Sequence, residues 1–345
     1  MVESVSSIFG CRYRSYALTI LSVLICTQLR AELGTDWIAV ATSAPWQTRS
    51  NHTSLCYDGK IWVIGGVGST RYGDVWCSSD GLNWTIRRDW MDPNCPIDFY
   101  YRYGHASVVH DERMWLIGGV GRRGELQNDV WYSTNGANWT SATLSAKWTR
   151  RQNHTALVHD GKIWVLGGLK SDLLPAVYLH DVWYSSDGMN WTSATVSAPW
   201  PSVHTSVSFD GKIWVIGGAG VWFSSDGTSW TLAAIPPWNS PPFSARDGMK
   251  AVVCDGRIWA MGGQDFQTIG QNDVWYSSDG RNWTQAAAHA GWRGRVGFGL
   301  VVHDRRIWVL GGYSPGLKGT PGVLLNDVWY SAMPTAVPAS WQLYP

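Results

Sequence analysis

The side chains best suited to chemistry in this 345-residue chain recur at regular intervals. Arg49, Arg102, Arg151, Arg246 and Arg295 occupy one position of a repeated R-x-x-H pattern, and the fourth copy departs from it with Pro201. A guanidinium presents a planar fork that holds an oxyanion bidentately. Gathered round an axis, these arginines would form a cationic pocket, open on the side of the fourth copy, for a carboxylate, a sulfate or an acidic peptide. They are the candidate ligand-binding residues; the plainer alternative is that each bonds carbonyls of a neighbouring repeat. Three residues downstream stand His52, His105, His154 and His204, then Met249 and Phe298. Exchange of His for Met and Phe marks a packing position, not a metal site. Paired catalytic carboxylates, a nucleophile elbow, a phosphate-binding loop and H-E-x-x-H are absent, so the sequence assigns no catalytic residue and no cofactor.

The elements that must position these residues follow from the repeat. Gly-Gly recurs at Gly65, Gly118, Gly167, Gly217, Gly262 and Gly311, each pair after an apolar run carrying Trp62, Trp115, Trp164, Trp214, Trp259 or Trp308 in register. The period is about fifty residues. Upstream of each run lies R-x-x-H-T-x-x-V-x-D-G-K, and downstream N-D-V-W-Y-S-S-D-G-x-N-W-T. Each unit reads as four short strands, A to D. Asp-Gly links A to B in a hairpin signature, and S-S-D-G forms a tight turn between C and D. The twenty-five tryptophans, against seven phenylalanines, suit the wedge between stacked blades and read as core.

The pattern R…H…D-G-K-I-W-V-I-G-G…N-D-V-W…W resembles kelch repeats over nearly all of residues 36–341. The resemblance implies an all-β, six-bladed β-propeller with four antiparallel strands per blade. The repeats run about 47–86, 87–141, 142–194, 195–233, 234–286 and 287–345. Asp36–Trp46 matches Asn190–Trp200 in register, so the chain opens with a strand D lacking its own A, B and C. That strand, about 36–46, is expected to complete the last blade and leave no free edge. The S-S-D-G-x-N-W-T turn also looks like the Asp-box of sialidases, one residue shorter between Asp and Trp; there the motif is structural.

In such blades the A–B and C–D turns share one face, and the B–C and D–A loops the other. The second set varies in length, so binding is expected there. Its rim offers Arg71, Tyr72, Arg122, Arg123, Glu125, Lys170, Asp172, Asp265 and Lys318. Lys plus Arg (27) balances Asp plus Glu (26), which excludes a global field for nucleic acid or an anionic membrane.

Arg12 and Arg14 precede the apolar stretch Tyr16–Thr27, too short to span a bilayer, and residues 1–31 read as a signal peptide, with a retained anchor as the alternative. The mature propeller, 32–345, is then expected to be secreted, periplasmic or at the cell surface, and monomeric. In that setting Cys77 and Cys95 are the favoured disulfide pair. Six N-x-T sequons occur, most of them within N-W-T turns. The leading functional reading is a binding module for a glycan or protein partner on the variable-loop face. The alternative, implied by resemblance to kelch-type sialic acid (N-acetylneuraminate) mutarotases, is an enzyme acting on an acidic sugar, with a rim acid such as Glu125 supplying acid–base chemistry.

Overall fold

A computed structural model describes residues 33–89, 101–171, 176–200, 204–217, 220–235, 246–265, 269–316 and 321–332. The expected signal peptide, Cys95, Asp172, Pro201, Lys318 and the end of the chain lie outside them. Among the described residues there are twenty-four strands and no helix, hence no helix able to cross a membrane.

After β1 (Trp37–Ala41), blade one comprises β2 (Thr53–Tyr57), β3 (Lys60–Val67), β4 (Arg71–Ser78) and β5 (Thr85–Arg88). Blade two is β6 (Ala106–His110), β7 (Arg113–Val120), β8 (Leu126–Ser133) and β9 (Thr140–Thr143). Blade three is β10 (Thr155–His159), β11 (Lys162–Ser171), β12 (Val177–Ser185) and β13 (Thr192–Thr195). Blade four is β14 (His204–Phe209), β15 (Lys212–Gly217), β16 (Gly220–Ser224) and β17 (Thr231–Ala234). Blade five is β18 (Lys250–Cys254), β19 (Arg257–Met261), β20 (Val274–Ser277) and β21 (Thr284–Ala287). Blade six has β22 (Gly299–His303), β23 (Arg306–Ser314) and β24 (Val323–Ser331), and β1 completes it in the order β1-β24-β23-β22. The innermost strands β2, β6, β10, β14, β18 and β22 adjoin one another in a closed ring around the axis.

Sequence dictates the blade-to-blade contact. The strand-B tryptophan lies beneath the C–D turn of the next blade, where only glycine fits: a Cβ on Gly136 would stand 2.2 Å from the Trp62 ring, at a φ of +72°. Gly34 takes this place over Trp259, so the N-terminal segment supplies the turn as well as the strand of blade six. The turn aspartates bond their own backbone as expected: Asp80 accepts from the Leu82 and Asn83 amides at 2.9 and 2.8 Å. Burial opposes ionisation of Asp80, but these hydrogen bonds outweigh it and hold the carboxyl at about 2.

Strand B tryptophans stack on a strand C ring, as in Trp115–Tyr132 at 5.2 Å and Trp164–Tyr184 at 5.0 Å. Blade one has Cys77 opposite Trp62 instead. That thiol packs within the interblade core, and the Cys95 with which it was expected to pair lies outside the described residues. The variable B–C segments are also less loop-like than the sequence suggests, because the strands run on past Gly-Gly: Ser171 still pairs with Val177 in blade three.

The glycine contact yields a prediction. Gly136→Ala should destabilise the fold by more than about 1 kcal/mol, combining left-handed strain with a clash. Gly161→Ala, at φ +64° with nothing within 4 Å of the added methyl, should cost only the strain. Urea denaturation of both variants measures the difference.

Candidate functional site

The five arginines stand at the entry to strand A as the repeat implies, but not as a ligand pocket. Arg49, Arg151 and Arg295 have 0% of their surface exposed, and Arg102 and Arg246 have 2% and 4%. Each meets an aspartate of the N-D-V-W motif bidentately. Arg49 reaches Asp74 through Nη2 at 2.8 Å, Arg102 reaches Asp129 at 2.8 Å and Arg151 reaches Asp181 at 2.8 Å. Arg246 and Arg295 hold Asp273 and Asp327 through Nη2 at 2.7 and 2.9 Å. Nη1 of Arg49, Arg151 and Arg295 also donates to the first carbonyl of Gly-Gly in its own blade, at 2.8, 2.7 and 2.7 Å. The main chain faces the other way: the Arg102 carbonyl accepts from Gly66 of the preceding blade at 2.7 Å, and the Arg102 amide donates to Tyr72 at 3.1 Å. The expectation of a ligand-binding arginine ring is therefore corrected. The guanidiniums are neutralised by carboxylates and closed off from solvent, and the residues act as struts within and between blades.

The aspartate was the missed partner, and the sequence carried its signal. The fourth unit lacks the arginine (Pro201) and has Gly220 where the others have Asp, so both halves of the pair vanish together. The carboxylate has a further task, accepting the indole N–H two residues on, as Asp129 does from Trp131 at 2.7 Å.

Some rim residues come together away from the axis: Arg71 and Arg122 line one recess with Tyr101, and Arg122, Arg123 and Glu125 line another. Tyr72 is buried, its ring 4.5 Å from the Arg49 guanidinium. Arg71 donates to the Arg122 carbonyl at 2.7 Å, and Glu125 accepts from the Arg123 amide at 2.8 Å and from Gln127 at 2.9 Å. Asp265 accepts from the Ile269 amide at 3.0 Å and from Gln271 at 3.1 Å. Glu125 and Asp265 brace their own loops, whereas Arg71 ties blade one to the B–C turn of blade two.

What faces the axis is a cavity of about 270 Å³ on the B–C and D–A face, lined by Asn51, Asn153, Tyr178, Asp247, Lys250 and Gln264. Its lip is a belt of main-chain hydrogen bonds passing from blade to blade. Asn51 donates to Gly297 at 2.7 Å, Gly104 to Asn51 at 2.9 Å, and Asn153 to Gly104 at 2.7 Å. The belt turns at positive φ, +53° for Asn51 and Asn153, which explains why five of the six units carry Asn or Gly here, the fourth having Val203.

Below the lip the histidines are packing residues. His52, His105 and His154 are buried, and the rings of His52 and His154 lie 6.2 Å from Trp46 and Trp148. No group of His, Cys, Asp or Glu among the described residues is arranged to hold a metal. Burial first, then the Arg49 and Lys250 charges, lowers the His52 imidazole to about 3. Burial and Arg151 bring His154 to about 3 as well.

Lys250 is the residue that sequence reasoning overlooked. It occupies the strand A register held elsewhere by Thr53, Ala106, Thr155, Thr205 and Gly299, and it alone is charged there. Desolvation lowers its ammonium below the usual lysine value. Among the described residues no carboxylate lies within ion-pair distance of it. Asp247, at the lip, has its carboxyl raised by burial.

With this geometry in place, comparison with known proteins is informative. The family profile described as the KLHDC2/KLHL20/DRC7 Kelch-repeats domain matches residues 47–218. The chain is a kelch-repeat β-propeller. Among solved structures the kelch propeller is similar to the one titled "Structure of YjhT", with a TM-score of 0.63 and 16% identity. The match covers 83% of this chain and all (100%) of that one, and at this identity it bears on the fold alone. No curated protein matches the sequence.

Two predictions come from the struts and the histidines. Arg151→Ala should cost about 3–5 kcal/mol in chemical denaturation, because it strands Asp181 without its cation. Arg151→Met combined with Asp181→Leu should recover part of that loss. The folded kelch propeller keeps His52 and His154 neutral to about pH 3, while the unfolded chain protonates them near 6.5. Their contribution is complete above 6.5 and declines as pH falls toward 3, with a slope of up to about 1.4 kcal/mol per pH unit for each ring. His52→Phe, which copies Phe298, should flatten the dependence of the melting temperature on pH over that window.

Proposed function

We propose that this kelch propeller is an exported, monomeric recognition module that binds a glycan or protein partner over its B–C and D–A face. The observation that carries the reading is the polar cavity of about 270 Å³ at the channel mouth on that face. Its lining offers side-chain amides, the half-exposed Tyr178 ring and charges of both signs, a combination suited to polar ligands. The short hairpin of blade four, where Gly217 already pairs with Gly220, leaves that side of the lip low. Longer hairpins bound the lip in blade three, where Ser171 pairs with Val177, and in blade six, where Ser314 pairs with Val323.

One observation favours a second reading, an acidic-sugar mutarotase similar to the kelch-type sialic acid enzymes. A carboxyl raised by burial, Asp247, and an amine lowered by burial, Lys250, line the same cavity. Both shifts run toward neutrality, the direction that favours proton exchange between a carboxyl and an amine. Anomerisation needs only that: one group takes the anomeric hydroxyl proton while another protonates the ring oxygen, and reclosure returns both.

Thermal unfolding against acidic, sulfated and neutral sugars tests the module. A ligand at a hundred times its Kd should add about 2.7 kcal/mol of stability. The gain should shrink in a Tyr178→Ala, Gln264→Ala variant that melts like the parent without ligand. Absence of stabilisation by the whole panel removes glycan recognition and leaves protein partners. Faster anomeric exchange by NMR, lost in Asp247→Asn, would decide for the enzyme.

A further inference from the structure

Beneath the mouth the channel narrows to an inner chamber of about 150 Å³, walled by strand A of successive blades. Among the described residues its lining contains no carboxylate, and the five arginines at the mouths of strand A are paired with aspartates. Lys250 borders both the mouth and this chamber. With the neighbouring imidazoles held neutral, its ammonium is the one formal charge on the chamber wall among the described residues. Lys250 is half-buried, and an ammonium drawn partly out of water with no carboxylate at ion-pair distance among the described residues favours the arrival of a counter-charge.

The other polar groups of the chamber are arranged as donors. Ser54 and Ser107 stand in the chamber wall, and their hydroxyls, closed off from solvent as placed, have no hydrogen-bond partner among the described residues, which leaves their protons uncommitted. Thr155 Oγ1 accepts from Ser206 at 2.7 Å, and Thr205 Oγ1 accepts from the Ala251 amide at 3.2 Å. Each threonine therefore keeps its own hydroxyl proton to give. Gly299 makes room on the neighbouring blade, since a Cβ there would stand 2.1 Å from Ser54 Oγ. A chamber of this size admits about five waters, or a carboxylate with its first carbon and little more.

We infer that the inner chamber is an anion site in which Lys250 and the surrounding hydroxyls hold the carboxylate of a ligand whose remainder lies in the mouth. The inference rests on the reading of the loop face as a binding face and adds the chemistry that face selects: ligands with a carboxylate on a narrow stem. Neutral analogues would leave the ammonium and its donors unsatisfied.

Acetate and its neutral isostere acetamide are the probes, titrated at constant ionic strength and followed by ligand-observed NMR. Wild-type protein should bind acetate at least tenfold more tightly than acetamide. Lys250→Thr installs the residue that blades one, three and four carry at this register, so the fold should persist, and its melting curve checks that. This variant should lose acetate binding at least tenfold, and Lys250→Arg should retain most of it. Equal binding of the two probes, binding of neither, or undiminished acetate affinity in Lys250→Thr would overturn the inference. The glycan panel separates the two ideas. Ligands that stabilise wild type and Lys250→Thr alike would leave the recognition module standing and remove the anion site. Acetate binding through Lys250 with no response to any larger ligand would do the reverse.

Discussion

The inner edges of five of the six blades depend on one interaction, the buried bidentate pair between the arginine before strand A and the aspartate that opens the V-W core of strand C. A blade of four short strands has little core of its own, and its inner edge must turn the chain sharply while facing a polar channel. The pair meets both needs. The side chain spans its own blade, tying the first Gly-Gly carbonyl and the strand C carboxylate together, and the main chain hydrogen-bonds to the preceding blade. Taking two ions out of water is expensive, so the pair is better understood as a device for geometry than as a net source of stability. Its saturation is also why it has no capacity left for a ligand.

The channel's chemistry follows from that saturation. Burial, assisted by the positive charge of Arg49, Arg102 and Arg151 beside them, keeps the rings of His52, His105 and His154 neutral at any ordinary pH. A ring of imidazoles that might have served as ligands or acids is thereby reduced to polar packing beside tryptophans. The charges left at the axis, Lys250 and Asp247, both come from blade five. Function on a repetitive scaffold resides where the repeat is broken. Here the break is one residue substituted at a register that is otherwise Thr, Ala or Gly.

Blade four is the other departure. It has no Arg–Asp pair and the shortest B–C hairpin, pairing from Ile213 with Ser224 to Gly217 with Gly220. The two losses are consistent: a strand C that begins at Gly220 has no carboxylate to offer, and an arginine there would be a buried cation without a counter-ion. The blade still stacks, because its Trp214 lies beneath Gly280 and Gly227 lies over Trp164, as in every other unit. Interblade stacking and inner-edge bracing are thus separable.

The sequence alone determined the number of blades, the four-strand unit, the turns and the closing strand. All of these arise from local periodicity and turn chemistry copied six times, with Asp36–Trp46 legible as a displaced strand D. It also marked the histidines as packing, since Met249 and Phe298 stand in for them. Which polar groups meet was decided by the tertiary structure. Arg151 and Asp181 are thirty residues apart and become neighbours only when strand C folds back along the blade. Cys77 packs in the interblade core because strand pairing sets it opposite Trp62. Lys250 looks like one basic residue among twenty-seven until the ring closes. Charge and spacing are properties of the chain, but burial is a property of what surrounds a group, and only packing six blades about one axis makes this lysine a desolvated ammonium.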